Sequence, residues 1–284
     1  LRKFGYANQY ARNCLQLNIG RGMKFADIAL YSGVAATDWS WSPLIADYNL
    51  DGKADLFVSN GIKNRPNDLD YIKFISNLSA NNPTSGPREH DKEILAHLPP
   101  GNWHNYIFEG TDSLIFKDQS TAWGFGEASL SQGAAYADLD GDGDLDLVVG
   151  SGGNERTSPE NFKNRLYFNN GKGIFSKSTT VIPSASTNVA VIAPYDFDQD
   201  GDVDIFVGSR SVPGVYGIDP KHLLLENDGK GNFTNVIDKK AFKLNTTGMI
   251  TDAVWEDVDN DNKKDLLLVG DWMAPQIFKN TANT

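Results

Sequence analysis

One nine-residue pattern, present four times, constrains this chain more than any other feature. Its densest copy is Asp138-Leu139-Asp140-Gly141-Asp142-Gly143-Asp144-Leu145-Asp146. Carboxylates stand at positions 1, 3, 5 and 9, with glycine at position 6. When such a stretch curls, the side-chain oxygens of 1, 3 and 5 converge and the carbonyl of 7 adds another oxygen. The last carboxylate then closes the cage, and glycine at 6 supplies the bend. So many like charges in one turn repel one another unless a cation holds them. The pattern is that of a cage for a hard divalent cation. Leu147, Val148, Val149 and Gly150, which follow it, read as a buried strand.

The other copies keep the form. Asp196, Asp198, Asp200, Asp202 and Asp204 bend at Gly201 and lead into Ile205-Phe206-Val207. Asp257, Asp259, Asp261, Lys263 and Asp265 bend at Asn262 and lead into Leu266-Leu267-Leu268. Asp47, Asn49, Asp51, Lys53 and Asp55 bend at Gly52 and lead into Leu56-Phe57-Val58. Position 7 (Lys53, Asp144, Asp202 or Lys263) is read as giving its backbone carbonyl, with the Asp144 and Asp202 side chains facing solvent. An acidic solvated turn could explain one copy, but four in register read as metal loops. All-oxygen donors in this number suit calcium rather than zinc or magnesium, and about four Ca2+ ions are expected.

The loops also explain the charge. The chain carries a formal −11, and the four loops alone hold 17 Asp. The acidity is therefore mostly metal ligand and says little about a charged partner. No basic face suggests nucleic acid, and no apolar run approaches the length of a membrane span. With Cys14 the only cysteine, neither an internal disulfide nor a thiolate zinc site is available. The chain starts at Leu1 without Met, which reads as a processed protein or part of a longer chain.

Each loop sits in a larger unit. Loop starts at 138, 196 and 257 are 58 and 61 residues apart, and the step from 47 to 138 is 91. Periods of this size, with several short strands each, suggest propeller blades. A first strand enters the loop and a second, continuously apolar one leaves it. A third strand is exemplified by Asn164–Asn169 or His222–Asn227. A Gly-x-Gly turn then leads to a polar fourth strand opening with Phe175 or Phe233.

This template cuts the chain into a partial blade at 1–38, whole blades at 39–118, 131–180 and 188–238, and a partial blade at 249–284. The expected fold is all-β: a β-propeller segment of about four-stranded blades, belonging to a larger ring. One blade carries a helical insert at 61–103. Pro66-Asn67-Asp68 begins one helix there and Glu89–Leu98 forms a second. His90, His97 and His104 fall in or beside the insert and raise a metal or general-base alternative, though no carboxylate spacing completes such a site. Exposed tryptophans among Trp39, Trp41, Trp103, Trp123, Trp255 and Trp272 would suit sugar stacking, while Trp255 beside a loop reads as core. No nucleophile elbow, phosphate loop or HExxH motif is present.

The unit Asp-x-Asp-x-Asp-Gly-x-x-Asp-(Leu/Ile)-x-Val-Gly, followed by Asn-x-Leu-(Tyr/Leu)-x-Asn-(Asn/Asp)-Gly-x-Gly-x-Phe, resembles the FG-GAP/VCBS repeat. It is similar to α-integrin head propeller blades and to secreted bacterial ASPIC/UnbV-type proteins. The loop opening also resembles an EF-hand, but the closing acid comes at position 9 and a strand follows. The resemblance implies calcium in the hairpin loops. Asn49, and Asn262 with Lys263 and Lys264, depart from the pattern and imply weaker binding in the outer loops. It further implies an extracellular, cell-surface or periplasmic adhesion or ligand-binding module. The partner would be a protein or glycan ligand, together with the rest of a longer chain. A calcium-dependent polysaccharide lyase-like enzyme and a purely structural module remain open alternatives, so enzymatic activity is undecided. A cluster of Arg, Lys, His and Tyr over the central channel would mark the enzyme.

Overall fold

The computed structural model describes residues 12–81, 91–101, 103–153, 162–180 and 182–281. His90 and the first residues of the expected second helix lie outside them. The described chain is all-β with a few short helices.

Four antiparallel sheets follow one another, and each is a simple meander. Sheet I holds Ser40–Ala46, Asp55–Asn60, Tyr106–Glu109 and Lys117–Asp118. Sheet II holds Ser131–Ala137, Asp146–Ser151, Arg165–Phe168 and Ser176–Lys177. Sheet III holds Asn188–Pro194, Ile205–Ser211, Leu223–Glu226 and Thr234–Asn235. Sheet IV holds Met249–Glu256, Asp265–Asp271 and Gln276–Phe278. A two-stranded ribbon of Gln16–Asn18 and Phe25–Asp27 precedes them. The fourth strands are only two residues long, and in sheet II Phe175, just before its fourth strand, is buried in the core.

The second strands of sheets I and II are buried on both faces, which is why they read as unbroken apolar runs rather than alternating ones. Three cores lie between successive sheets. Tyr48, Phe57, Leu147 and Phe175 fill the space between sheets I and II. Leu139, Val148, Ile205 and Leu225 join II to III, and Phe197, Phe206, Trp255 and Leu266 join III to IV. Each fully buried large side chain contributes about 1.5–3 kcal/mol. Trp255 is core, as expected, and its indole N–H donates to the carbonyl of Ala193.

The first strand of each sheet lies against the first strand of the next. The four first strands therefore stand side by side in chain order, with the acidic loops at their C-terminal ends. Near their N-terminal ends each first–second pair carries a register shift. It falls between Ser40 and Pro43 and opposite Val149/Ser151. In the other sheets it falls between Val189 and Val191 and between Ile250 and Asp252.

The insert forms helices at Leu69–Asn81 and Asp91–Ala96. Asp68 accepts the backbone N–H groups of Asp70 and Tyr71, so the first helix starts at Leu69 rather than at Pro66. Beyond the insert, Trp103–His104 pairs with Ala128–Ser129, a ribbon the four-strand template does not contain.

Candidate metal centre

The four loops share one hydrogen-bond scheme. The position-1 carboxylate accepts the backbone N–H of position 6 in every copy. The pairs are Gly52 to Asp47 at 2.8 Å, Gly143 to Asp138 at 3.1 Å, Gly201 to Asp196 at 3.1 Å and Asn262 to Asp257 at 2.9 Å. The position-5 carboxylate accepts the N–H of position 7: Lys53 to Asp51, Asp144 to Asp142, Asp202 to Asp200 and Lys263 to Asp261. Closing these turns requires left-handed backbone at position 6, as Gly and Asn there suggest. It also requires it at position 4, where Leu50, Gln199 and Asn260 have φ of 56°, 64° and 60°. A side chain in that region costs about 1–2 kcal/mol, and strain of this kind gathers at functional sites.

Position 9 has a second duty. One oxygen of Asp146 accepts the N–H of Leu139 at 3.0 Å and the other that of Asn169 at 2.9 Å. Asp204 does the same with Phe197 and Asn227, and Asp55 with Tyr48 and Gly110. Asp265 accepts from Asn280. The closing acid therefore ties its own loop to the end of the third strand.

Oxygens of Asp138, Asp140 and Asp146 come within 4.8 Å of one another, as do those of Asp196, Asp198 and Asp204, and of Asp257, Asp259 and Asp261. Asp142 and Asp200 are absent from the first two triples, and Asp265 from the third. Asp47, Asp51 and Asp55 form no such triple among the described residues, and Asn49 supplies an amide oxygen in place of a carboxylate. His97 stacks on Phe74 and His104 packs against Tyr106. Neither joins a metal-type cluster among the described residues.

The side chain of Asp144 does not face solvent, contrary to the sequence expectation. It is 6% exposed and packs against Gly171 of the turn after the third strand. Asp202 lies against Gly229 in the same way. The glycines of those turns leave room for the carboxylate, a tertiary contact that loop spacing alone does not reveal.

The carboxylates are crowded. Burial, followed by the backbone bonds that partly oppose it, sets Asp146 and Asp204, which are pushed up to about 7. Burial and then repulsion by neighbouring Asp push Asp144 and Asp202 up to about 6. Oδ1 of Asp140, Asp196 and Asp198 is buried without a hydrogen-bond partner. Unpartnered carboxylate oxygens, crowded among other carboxylates, are what a hard cation would satisfy. Lysines supply part of the missing charge. Lys240 reaches Asp198 at 2.7 Å and Glu226 at 2.6 Å, Lys279 pairs with Asp259, and Lys53 lies 3.9 Å from Asp51. Loop 138–146 has no such lysine among the described residues.

A feature not singled out as functional is the asparagine ending the third strand. Asn169, Asn227 and Asn280 donate through Nδ2 to the position-2 carbonyl of the preceding sheet's loop: Tyr48, Leu139 and Phe197. For Asn169 and Asn227 the signal was present as the Asn before each Gly-x-Gly turn.

Residues 138–207 match the family model described as an FG-GAP-like repeat. No curated protein matches the chain. A similar solved structure is described as the structural basis of specific recognition of non-reducing terminal N-acetylglucosamine by an Agrocybe aegerita lectin. It is 13% identical, with 94% of this chain and 74% of that chain covered and a TM-score of 0.36. No helix among the described residues is long and apolar enough to cross a membrane.

Proposed function

We propose that this chain is a calcium-stabilised ligand-binding module of the β-propeller type that works outside the cytosol. Its blades would be those of the sequence template: a partial blade at 1–38, whole blades at 39–118, 131–180 and 188–238, and a partial blade at 249–284. The observation that carries the reading is the shared loop scheme, with carboxylate oxygens converging in three of the four copies and several of them unpartnered. Bound calcium would supply the positive charge that the loops lack. Asp138, Asp140 and Asp146, with their counterparts, would hold it in sheets II and III, and the carbonyls at position 7 would add neutral oxygens.

The compartment follows from affinity. Loops of this kind in extracellular modules bind at about 10⁻⁴–10⁻³ M, which extracellular but not cytosolic calcium satisfies. A binding role is favoured over a lyase-like one by the cavity that residues of the first strands line together with Arg210 and Tyr216. Arg210 and Tyr216 stand there, but both donate to Asp271 at 2.9 Å and so are engaged rather than poised for proton transfer.

The test is thermal unfolding in calcium, magnesium and EDTA. A ligand bound only to the native state adds RT ln(1 + [L]/Kd), about 2.7 kcal/mol at a hundredfold excess over Kd. Calcium should raise the melting temperature well above that in EDTA, and magnesium should do so less. Equal melting in all three would refute the reading.

A further inference from the structure

At the end of the first strands opposite the acidic loops lies a cavity of ≈ 910 Å³. It lies within the usual size range of small-molecule sites. It draws on all four sheets. Trp41 comes from sheet I, Gln132 from II, Arg210 from III and Thr251 and Asp252 from IV, and Tyr216 follows sheet III.

Its lining comes from the register shifts. In each sheet the bulged segment of the first strand holds residues with no partner of their own on the second strand. These are Trp41 and Ser42, Gln132 and Gly133, Ala190, and Thr251. All of them line this cavity. Bulges re-aim side chains and recur beside functional sites. Four at the same level of four successive sheets, all opening on one cavity, is a built arrangement.

The aromatic groups are held rather than loose. Trp41 is 43% exposed, and its indole N–H is fixed on the carbonyl of Gly61 at 3.0 Å. Tyr216 is 55% exposed, its hydroxyl fixed on Asp271, and its ring meets Trp272 edge-on at 5.4 Å. Trp272 is 80% exposed at a φ of 58°, a region that a bulky side chain rarely occupies. Its ring lies over Gly217, where a Cβ would come within 3.3 Å. Such strain, spent on an exposed indole that packs edge-on against Tyr216, points to use of that surface.

We propose that this cavity binds a neutral saccharide, with Trp41 and Tyr216 as stacking surfaces and Gln132, Thr251, Arg210 and Asp252 as hydroxyl partners. The inference deepens the proposed binding function and rests on that reading. The charges select the class. Arg210 is already neutralised by Asp271, and Asp252 adds a second carboxylate, so an anionic ligand meets net repulsion. A cation would meet Asp252 and the rings but would leave Gln132, Thr251 and the Arg210 fork unused. A ligand rich in hydroxyls, with apolar C–H faces, uses both the rings and the planar polar groups.

The experiment titrates the calcium-loaded protein calorimetrically with glucose, galactose, mannose and N-acetylglucosamine, and with glucuronate and choline as charged probes. At least one neutral sugar should bind more tightly than either charged probe. Trp41→Ala and Tyr216→Ala should each weaken it at least about tenfold, while Trp103→Ala, an exposed indole outside the cavity, should leave it unchanged. All three variants should keep the wild-type calcium count and a cooperative unfolding transition. If calcium binds but no neutral sugar does, or if glucuronate or choline binds best, the saccharide inference is overturned and the metal reading stands. If sugar binding is indifferent to Trp41 and Tyr216, the cavity is not its site. Failure of calcium itself to bind would instead overturn the proposed function.

Discussion

Asn169 Nδ2 donates to the backbone carbonyl of Tyr48, 2.7 Å away in the acidic loop of the preceding sheet. The backbone N–H of the same residue donates to Asp146, the closing acid of its own loop. One residue thus couples two neighbouring loops, and Asn227 and Asn280 repeat the arrangement one and two sheets further on. In sheet I the corresponding position is Gly110, where a Cβ would come 2.0 Å from the carbonyl of Ala54.

Asn169→Ala should therefore destabilise the chain by about 1–3 kcal/mol, because it leaves the buried Tyr48 and Leu145 carbonyls without that donor. Asn227→Ala should cost a similar amount. Urea unfolding in saturating calcium checks both, and an unchanged midpoint would show that the link between sheets carries no energy.

The metal-free protein should lose stability as pH rises. Asp146 and Asp204 are pushed up to about 7 by burial. Their protonated forms are thus favoured by the fold. That contribution is complete below about pH 4, the ordinary carboxylate value, and is lost as pH climbs through about 7. In EDTA the melting temperature should fall between about pH 5 and 8. Calcium affinity should rise over the same window, since binding displaces protons. Chemical denaturation at both pH values and calorimetric titration read the two effects, and a melting temperature that rises with pH in EDTA would contradict them.

Lys240 competes for loop 196–204 through its contact with Asp198. Lys240→Met should tighten calcium there by up to about fivefold, the reach of a surface ion pair of about 0.2–1 kcal/mol. Loop 138–146 should be unaffected. Terbium luminescence competed with calcium would resolve the two sites, and weaker binding at loop 196–204 would contradict the competition.

Asp142→Ala and Asp144→Ala separate the two kinds of loop carboxylate. Asp142 holds the turn through the N–H of Asp144, so its loss should weaken the site strongly. Asp144 is packed on Gly171, and its own backbone N–H, not its side chain, makes the bond that holds the turn. Asp144→Ala should keep the metal through the surviving carbonyl and should stabilise the metal-free state by removing a crowded carboxyl. Equal loss of binding in both would contradict this division.

Much of the fold was legible because it rests on short-range rules. The 1, 3, 5, 9 spacing before each apolar run located the hairpins, and Asp68 with the 3–4 spacing of Leu69, Ile72 and Ile75 located the first insert helix. The bend at position 6 was marked by Gly or Asn. The bend at position 4 was hidden at Leu50 and Gln199, because residues with such a low intrinsic preference for left-handed backbone give no local sign of it. The burial of Asp144 depends on Gly171, far along the chain in the next turn, and the cavity depends on bulges set by strand register. Those are tertiary facts, and a pattern of single residues does not carry them.

The most direct test of the account is the number of calcium ions bound, measured by calorimetric titration of the chain and of Asp138→Ala and Asp196→Ala. About four ions are expected for the parent chain, with the two central loops filling first. Each substitution should remove one ion, and only its own. A stoichiometry unchanged by either substitution would mean that the acidic loops are solvated turns and not calcium cages.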